Sequence, residues 1–538
     1  MNKGELLKIT GLSQQKGAGE QNFRIIAEAL ERIKKENFSG ISLPEGNYEV
    51  YNRKALELFG FLLDGTIASL DNNRWKKEKN VLFSVSQTEN FTIKGNNTSL
   101  MFKGLMQPFD FKDVSGLTVR DLSVNFEDCF YTCAKVTGKI GDTVYITPEC
   151  GYEISGGEPI VSLQNYDVKT SKPLGMALFE GISNIMKTKT GEFCFNCTEH
   201  NMITVGESLI LRYLYSYSST FMMYRCSDVK IQNVKVFAAP GLAVVAQKCR
   251  NMLFDRLRVM PFEKRPMSAN CDATHLINCI GDVVYDNCYF EGMGDDASNV
   301  HGFYLTVYGI NDDKVYVKHR SSSQNTYPYV PVKGDSVEFI NEKNLLCFAN
   351  GKISDVSYDE KRELYVLKFE EGVPSGLKEE SLIASVTEMP RLTFKNCTVK
   401  NIRGRGVLIQ TRNVLVENCL FENCTGQGIH IDTAYGWGES IGTRNVQIRN
   451  NKFIDCGFGS TKYCDAVGVV IETEAEEPAV GVHKDICIEK NLVKGSGAAF
   501  NIRCAENVTV RENLIIGCNE EIPVSNSVNV EITDNIFD

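Results

Sequence analysis

Basic residues are the minority among the charges of this 538-residue chain. Lysine and arginine number 58 against 68 aspartates and glutamates, a formal charge of -10. A protein that holds phosphates needs clustered Lys and Arg, so this balance argues against nucleic acid as a partner. It suits a neutral partner such as a sugar. No run of 18 or more apolar residues occurs, and no membrane span is expected. The opening MNKGELLKIT has no apolar stretch of the signal-peptide kind, from which a cytoplasmic location is expected. No Walker loop, dinucleotide fingerprint or Ser-His-Asp signature stands out, and no cofactor is assigned. Cys194-x-x-Cys197-x-x-His200 lacks a second Cys/His pair at finger spacing. Buried or turn thiols are expected there, and no metal. The 19 cysteines are odd in number and, without an export signal, are expected as reduced thiols.

What the chain does have is repetition. A strand-like pattern, apolar at alternate positions, starts at Val229 (VKIQNVKV), Met252, Val283, Leu392 (LTFKNCTV), Val414 (VLVENCLF), Val446, Ile486, Val508 and Val530, with weaker copies at Phe91 and Leu117. Leu392 to Val414, Ile486 to Val508 and Val508 to Val530 are each 22 residues. That period is short for a propeller blade or a helical repeat and fits one coil of a β-solenoid with three short strands. The fifth residue after each start is Cys288, Cys397, Cys419, Asn451, Asn491, Asn513 or Asn535. Stacked coils place like residues above one another, so Asn can hydrogen-bond along the axis and Cys can fill the same small slot. The predicted fold is all-β, a right-handed parallel β-helix. A solenoid grows without splitting into domains, which accounts for the length.

Residues 1–60 differ. Ile25, Ile26, Leu30 and Ile33 have helical spacing and precede the strand GISLPEGNYEV, which predicts a helix capping the open end of the solenoid. The β-helix is then expected over 61–129, a β-rich insertion over 130–180, further coils over 181–302, a small barrel-like insertion over 303–390, and C-terminal coils over 391–538.

Carboxylates cluster in SANCDATHLINCIGDVVYDNCYFEGMGDDASNVHG, from Ser268 to Gly302. CDATHL matches DDASNV at an offset of 24, about one coil. Asp272 should then lie below Asp296 and Cys271 below Asp295, with Gly292 and Gly294 supplying a bend that diverts one of the adjacent pair. Hydrolysis of a glycosidic bond needs such carboxyls, one to protonate the leaving oxygen and one to act on water or attack. Crowding should raise at least one of their pKa values, which gives a natural general acid beside an ionised base. In RGRGVLIQ, Arg405 falls above Asp296 with Arg403 nearby. An arginine there binds sugar hydroxyls and tunes the carboxylate charge, or is merely solvated or carboxylate-paired. Trp437 and Glu439, in the Gly-rich loop of the next coil, are candidates for substrate contact, and Trp437 is one of only two tryptophans. His301 is a site residue or a satisfied buried histidine.

The N-terminal helix before SLPEGNY, the coils and the aspartates resemble the polysaccharide-active β-helix superfamily that includes the polygalacturonases of glycoside hydrolase family 28. NCDATH, GMGDDASNVHG and the β-rich insertions resemble glycoside hydrolase family 110 more closely, the bacterial α-1,3-galactosidases. The resemblance covers most of the chain. It implies an inverting exo-hydrolase that removes terminal α-1,3-linked galactose from linear α-galactosyl or blood-group-B-type glycans without a metal. It also implies Asp272, Asp295 and Asp296 as catalytic positions. By analogy with the polygalacturonases, Asp295 is the acid, while Asp272 and Asp296 hold the attacking water, with the roles open to exchange. No clear Arg-Ile-Lys motif accompanies the aspartates (the triplet occurs only at 32–34, in the expected capping helix) and no Gly-His-Gly is present, which disfavours a polyuronate substrate. Another β-helix glycan hydrolase or lyase, and a non-catalytic glycan-binding β-helix, are the alternatives. A homodimer is left open.

Overall fold

The computed structural model describes residues 4–66, 79–319, 327–459 and 465–538. Each coil supplies three short strands, and each strand pairs in parallel with its counterpart one coil away. One stack contains Arg250–Asp255, Ile280–Asp286, Pro390–Lys395 and Arg412–Glu417. A second contains Arg258–Val259, Tyr289–Glu291, Thr398–Ile402 and Leu420–Cys424. The third contains Val244–Gln247, Thr274–Ile277, Ser298–Asn311, Val407–Ile409 and Ile429–Ile431. This is the parallel β-helix that the repeat predicts.

Inward positions of successive coils stack like on like. Phe421 and Phe453, paired across adjacent coils, stack with their rings 5.1 Å apart. The asparagine ladder is present. Asn451 Nδ2 donates to Asn491 Oδ1 at 3.1 Å, Asn491 to Asn513 at 3.0 Å and Asn513 to Asn535 at 2.8 Å. Cysteine takes the same slot in the coils before it: Cys419 N donates to Asn451 Oδ1 and Cys397 N to Cys419 Sγ. The residue before each of these cysteines, Asn396 and Asn418, sits at φ +55°, a left-handed conformation that Asn tolerates well. All the described cysteines are free thiols.

A helix α1 (Gly19–Glu36) buries Ile26, Ala29, Leu30 and Ile33 against the first coils. A second helix α2 (Arg53–Leu63) follows, where only a strand was expected before residue 60. Asn52 caps it, accepting from the Ala55 N–H at 2.8 Å, and Phe59 packs edge-on to Phe130 and Tyr152.

The first insertion runs further than residue 180. Its strands form an open antiparallel sheet of seven, from Tyr131–Ile140 to Ser208–Arg212, and the coils resume at Phe221–Tyr224. Period-two alternation is the same for a strand in a sheet and a strand in a coil, so the boundary left no mark in the sequence. The second insertion is a closed barrel. Ser298–Asn311, Lys314–His319, Leu364–Phe369, Cys347–Asp359, Ser336–Ile340 and Leu382–Ser385 each pair antiparallel with the next, and the last pairs with the first. Its first strand is the outward extension of a coil strand, so the barrel is continuous with the stack that carries the aspartates.

Candidate active site

The three aspartates lie on the turns entering the third stack. Thr274 pairs with Ser298 and Ser298 with Val407, and the same offsets put Asp272, Asp296 and Arg405 in one column. The Asp296 N–H donates to Asp272 Oδ1 at 3.3 Å, which ties the two turns together. Carboxylate oxygens of Asp272, Asp295 and Asp296 lie within 4.8 Å of one another. Gly292 forms the bend at φ +73°. Gly294 is required by contact: a Cβ there would sit 2.3 Å from the Asn270 carbonyl oxygen.

The arginines pair with the acids. Arg405 donates to Asp296 through its backbone N–H at 2.7 Å, Nε at 2.9 Å and Nη2 at 2.7 Å. A bidentate fork of this kind also fixes the carboxylate plane. Arg403 Nη1 lies 2.8 Å from Asp295 Oδ1, and the Tyr215 hydroxyl donates to Asp295 Oδ2 at 2.9 Å. Both arginines are carboxylate-paired, a position from which they tune the carboxylate charge. The turn that brings them close needs Gly404, at φ +132°, because a Cβ there would lie 2.6 Å from the Asp295 carbonyl carbon.

Among the described residues no arginine pairs with Asp272. It is buried, and its Oδ2 lies 2.6 Å from His275 Nδ1. Burial pushes its pKa up to about 7, the neighbouring Asp295 and Asp296 add to the rise, and His275 opposes it. One of the three crowded carboxyls is therefore raised, as expected, but it is Asp272 and not Asp295, the residue that the polygalacturonase analogy makes the acid. His301 and Glu439 are buried behind His275. His301 Nε2 lies 2.9 Å from His275 Nε2 and 3.6 Å from Glu439 Oε1. Glu439 was a candidate for sugar contact, but its Oε2 accepts from Gln410 at 2.6 Å and Asn299 at 3.2 Å. Its strand pairs with Gly302 and Phe303, which turns the carboxylate inward. Trp437 is 54% exposed on the short turn Tyr435–Trp437.

Three residues of the first insertion join the site, and the sequence pattern did not indicate them. Tyr215 reaches Asp295. Arg212 is fully buried and donates to the carbonyls of Asn270 and Gly294, holding both aspartate turns. The Phe179 ring lies 4.8 Å from the Arg403 guanidinium and 5.8 Å from that of Arg212. Tyr215 and Phe179 are 44% and 41% exposed, which leaves apolar ring surface open beside Asp295. Cys194 and Cys197 are buried in the same insertion, as expected for structural thiols.

Two groups have ligand types close enough to surround a cation: the aspartates, and His275 with His301 and Glu439. In the first, two of three carboxylates already face guanidinium groups, whose charge opposes a cation. In the second, the two imidazole Nε2 atoms are hydrogen-bonded to each other.

The family model "Right handed beta helix region" matches residues 306–480 and 391–538. Alpha-1,3-galactosidase A of Bacteroides fragilis is 26% identical over 494 residues, 87% of this chain and 80% of that protein. Alpha-1,3-galactosidase B of Parabacteroides distasonis is 26% identical over 514 residues, with 87% and 81% covered. The chain is a homologue of the alpha-1,3-galactosidases. The match to these relatives spans most of the chain, whereas the β-helix model begins after Asp296. A family 28 exopolygalacturonase of Yersinia enterocolitica superposes with a TM-score of 0.38 at 10% identity, covering 99% of this chain and 79% of that one.

Proposed function

We propose that this chain hydrolyses terminal α-1,3-linked galactose from glycans, linear α-galactosyl or blood-group-B-type, acting from the chain end and inverting the anomeric carbon. The observation that carries the reading is the cluster of three carboxyls on adjacent coils, two of them paired with arginine and one with histidine, in a homologue of the alpha-1,3-galactosidases. Asp295 is the proton donor. It is the least buried of the three, accepts from the partly exposed Tyr215, and pairs with Arg403, whose guanidinium lies against the partly exposed Phe179, aromatic surface on which a sugar ring can rest. Asp272 and Asp296 hold water. The water oxygen bonds to the anomeric carbon and its proton passes to Asp272. The glycosidic C–O pair leaves with the departing oxygen, which takes the proton of Asp295. A base whose pKa lies near 7 is suited to that transfer. The guanidinium groups of Arg403 and Arg405 supply the positive charge, and no metal takes part.

Carboxylate oxygens within 4.8 Å are closer than the carboxyls of a two-carboxyl inverting site, about 6.5–9.5 Å apart. A water gripped by two acids, Asp272 and Asp296, suits this spacing. We expect Asp295→Asn to keep the fold and to lower turnover of an α-1,3-galactoside by at least about 100-fold. Turnover near that of the parent chain would reject the assignment. The first-formed anomer, read by proton NMR, is β for inversion; an unsaturated product would indicate a lyase instead.

A further inference from the structure

Behind Asp272 runs a line of buried groups that the reaction above leaves without a role. His275 and His301 stand on neighbouring strands, Thr274–Ile277 and Ser298–Asn311. His301 Nδ1 lies 2.7 Å from the Gly302 carbonyl oxygen. A carbonyl only accepts, so His301 Nδ1 carries a hydrogen, and the neutral ring has a bare Nε2. Burial keeps that ring neutral, its pKa lowered to about 4. The hydrogen in the 2.9 Å contact between the rings therefore belongs to His275 Nε2. A single further hydrogen remains for the 2.6 Å contact between His275 Nδ1 and Asp272 Oδ2.

We propose that His275 is a positioning residue for Asp272. The two hold one proton between them, His301 fixes its place by accepting from His275 Nε2, and Asp272 is thereby kept an oriented carboxylate facing the attacking water. The inference rests on the galactosidase reading and assigns the charge state of its base. Four groups face His275. Asp272 lies on its own segment, Asp296 on the next turn, His301 on the strand above and Glu439 on the strand Glu439–Ser440. Below it the paired residue is Val245, which is uncharged. Burial disfavours the charge on His275, but the Asp272 contact outweighs it and the pKa is raised. Asp296 is already matched by Arg405, and Glu439 is held by Gln410 and Asn299.

The sign of the pH effect follows. When the pair loses its proton as pH rises, His275 turns a lone pair toward a carboxylate oxygen, and the hold on Asp272 is lost. Turnover then declines on the basic side. His275→Asn keeps an amide near the Nδ1 position but cannot carry the charge. In this variant we expect kcat on a terminal α-1,3-galactoside to fall about 100-fold with KM little changed, and the basic limb of the kcat profile to vanish. Unchanged kcat and an unchanged basic limb would overturn the inference and leave the galactosidase reading standing. A parent chain inactive on α-galactosides would instead overturn that reading. A second measurement is independent of turnover. In the full chain with 15N-labelled histidine, one ring should titrate above the ordinary histidine range and shift downward in Asp272→Asn. Histidine titrations unaffected by Asp272→Asn would overturn the pairing.

Discussion

At the scale of single residues, the decisive fact is which carboxylate has which partner. Asp296 is buried and matched by Arg405 through three donors. Removing one member of a buried ion pair leaves the other uncompensated, at a cost of about 3–5 kcal/mol. Arg405→Ala should lose about that much in urea unfolding. Arg405→Lys should lose less stability but still lose turnover, because an ammonium cannot reproduce the fork. The exposed pair Arg511–Glu489 gives the contrast: Arg511→Ala should cost under about 1 kcal/mol. Equal losses at the two sites would contradict the account. Asp272 below Asp296 was legible in the sequence because the two stand one coil, 24 residues, apart; Arg405, 109 residues beyond Asp296 and past the barrel, was placed by aligning RGRGVLIQ with the earlier strands. Tyr215, Arg212 and Phe179 were not legible, since an inserted sheet has no periodic relation to the coil it covers. His275 stood in the motif CDATH, but its relation to Asp272 depends on His301, one coil away.

At the scale of elements, the ladder of Asn and Cys turns coil length into fixed register. Asn491 accepts from the N–H and the side chain of Asn451, and donates to the Ile448 carbonyl and to Asn513. Asn491→Ala leaves several of these buried groups unmatched, each worth about 1–3 kcal/mol. We expect a loss of about 2–4 kcal/mol for Asn491→Ala and a smaller one for Asn491→Cys, since Cys419 fills the equivalent slot and its sulfur accepts from Cys397 N. A larger loss for Cys than for Ala, measured by urea unfolding, would contradict this. The ladder and the apolar alternation were readable from sequence because each is a local pattern repeated many times. The helix α2 and the end of the first insertion were not read. The capping Asn52 and the spacing of Ala55, Leu58, Phe59 and Leu62 were available as helix signals, but they fall where the first coil was expected to begin.

At the scale of the whole molecule, a long solenoid buries ionisable groups that a smaller core would expose. His483 is buried and bonded to the Glu472 carbonyl, and burial lowers its pKa to about 3; His301 is lowered to about 4. Both depart downward from the unfolded value of about 6.5. As pH falls below that value the unfolded chain binds protons that the folded chain refuses. Stability therefore decreases by about 1.4 kcal/mol per pH unit for each group, until pH reaches the folded pKa. Asp272, Glu388 and Asp432, each raised to about 7 by burial, act in the opposite sense, so the test is the slope of the variant against that of the parent chain: from pH 6.5 to 4 the urea midpoint of His483→Gln should fall less, or rise more, than that of the parent chain. A profile in His483→Gln as steep as that of the parent chain would contradict the assignment.

The central claim concerns one bond in one class of glycan. It is tested most directly by incubating the full chain with terminal galactosides that differ only in linkage, and measuring free galactose. Release from the α-1,3-linked compound, with little from α-1,4-, α-1,6- or β-linked ones, and its loss in Asp295→Asn, is the predicted result. Equal release from all linkages, or binding of the α-1,3-galactoside with no galactose set free, would contradict it.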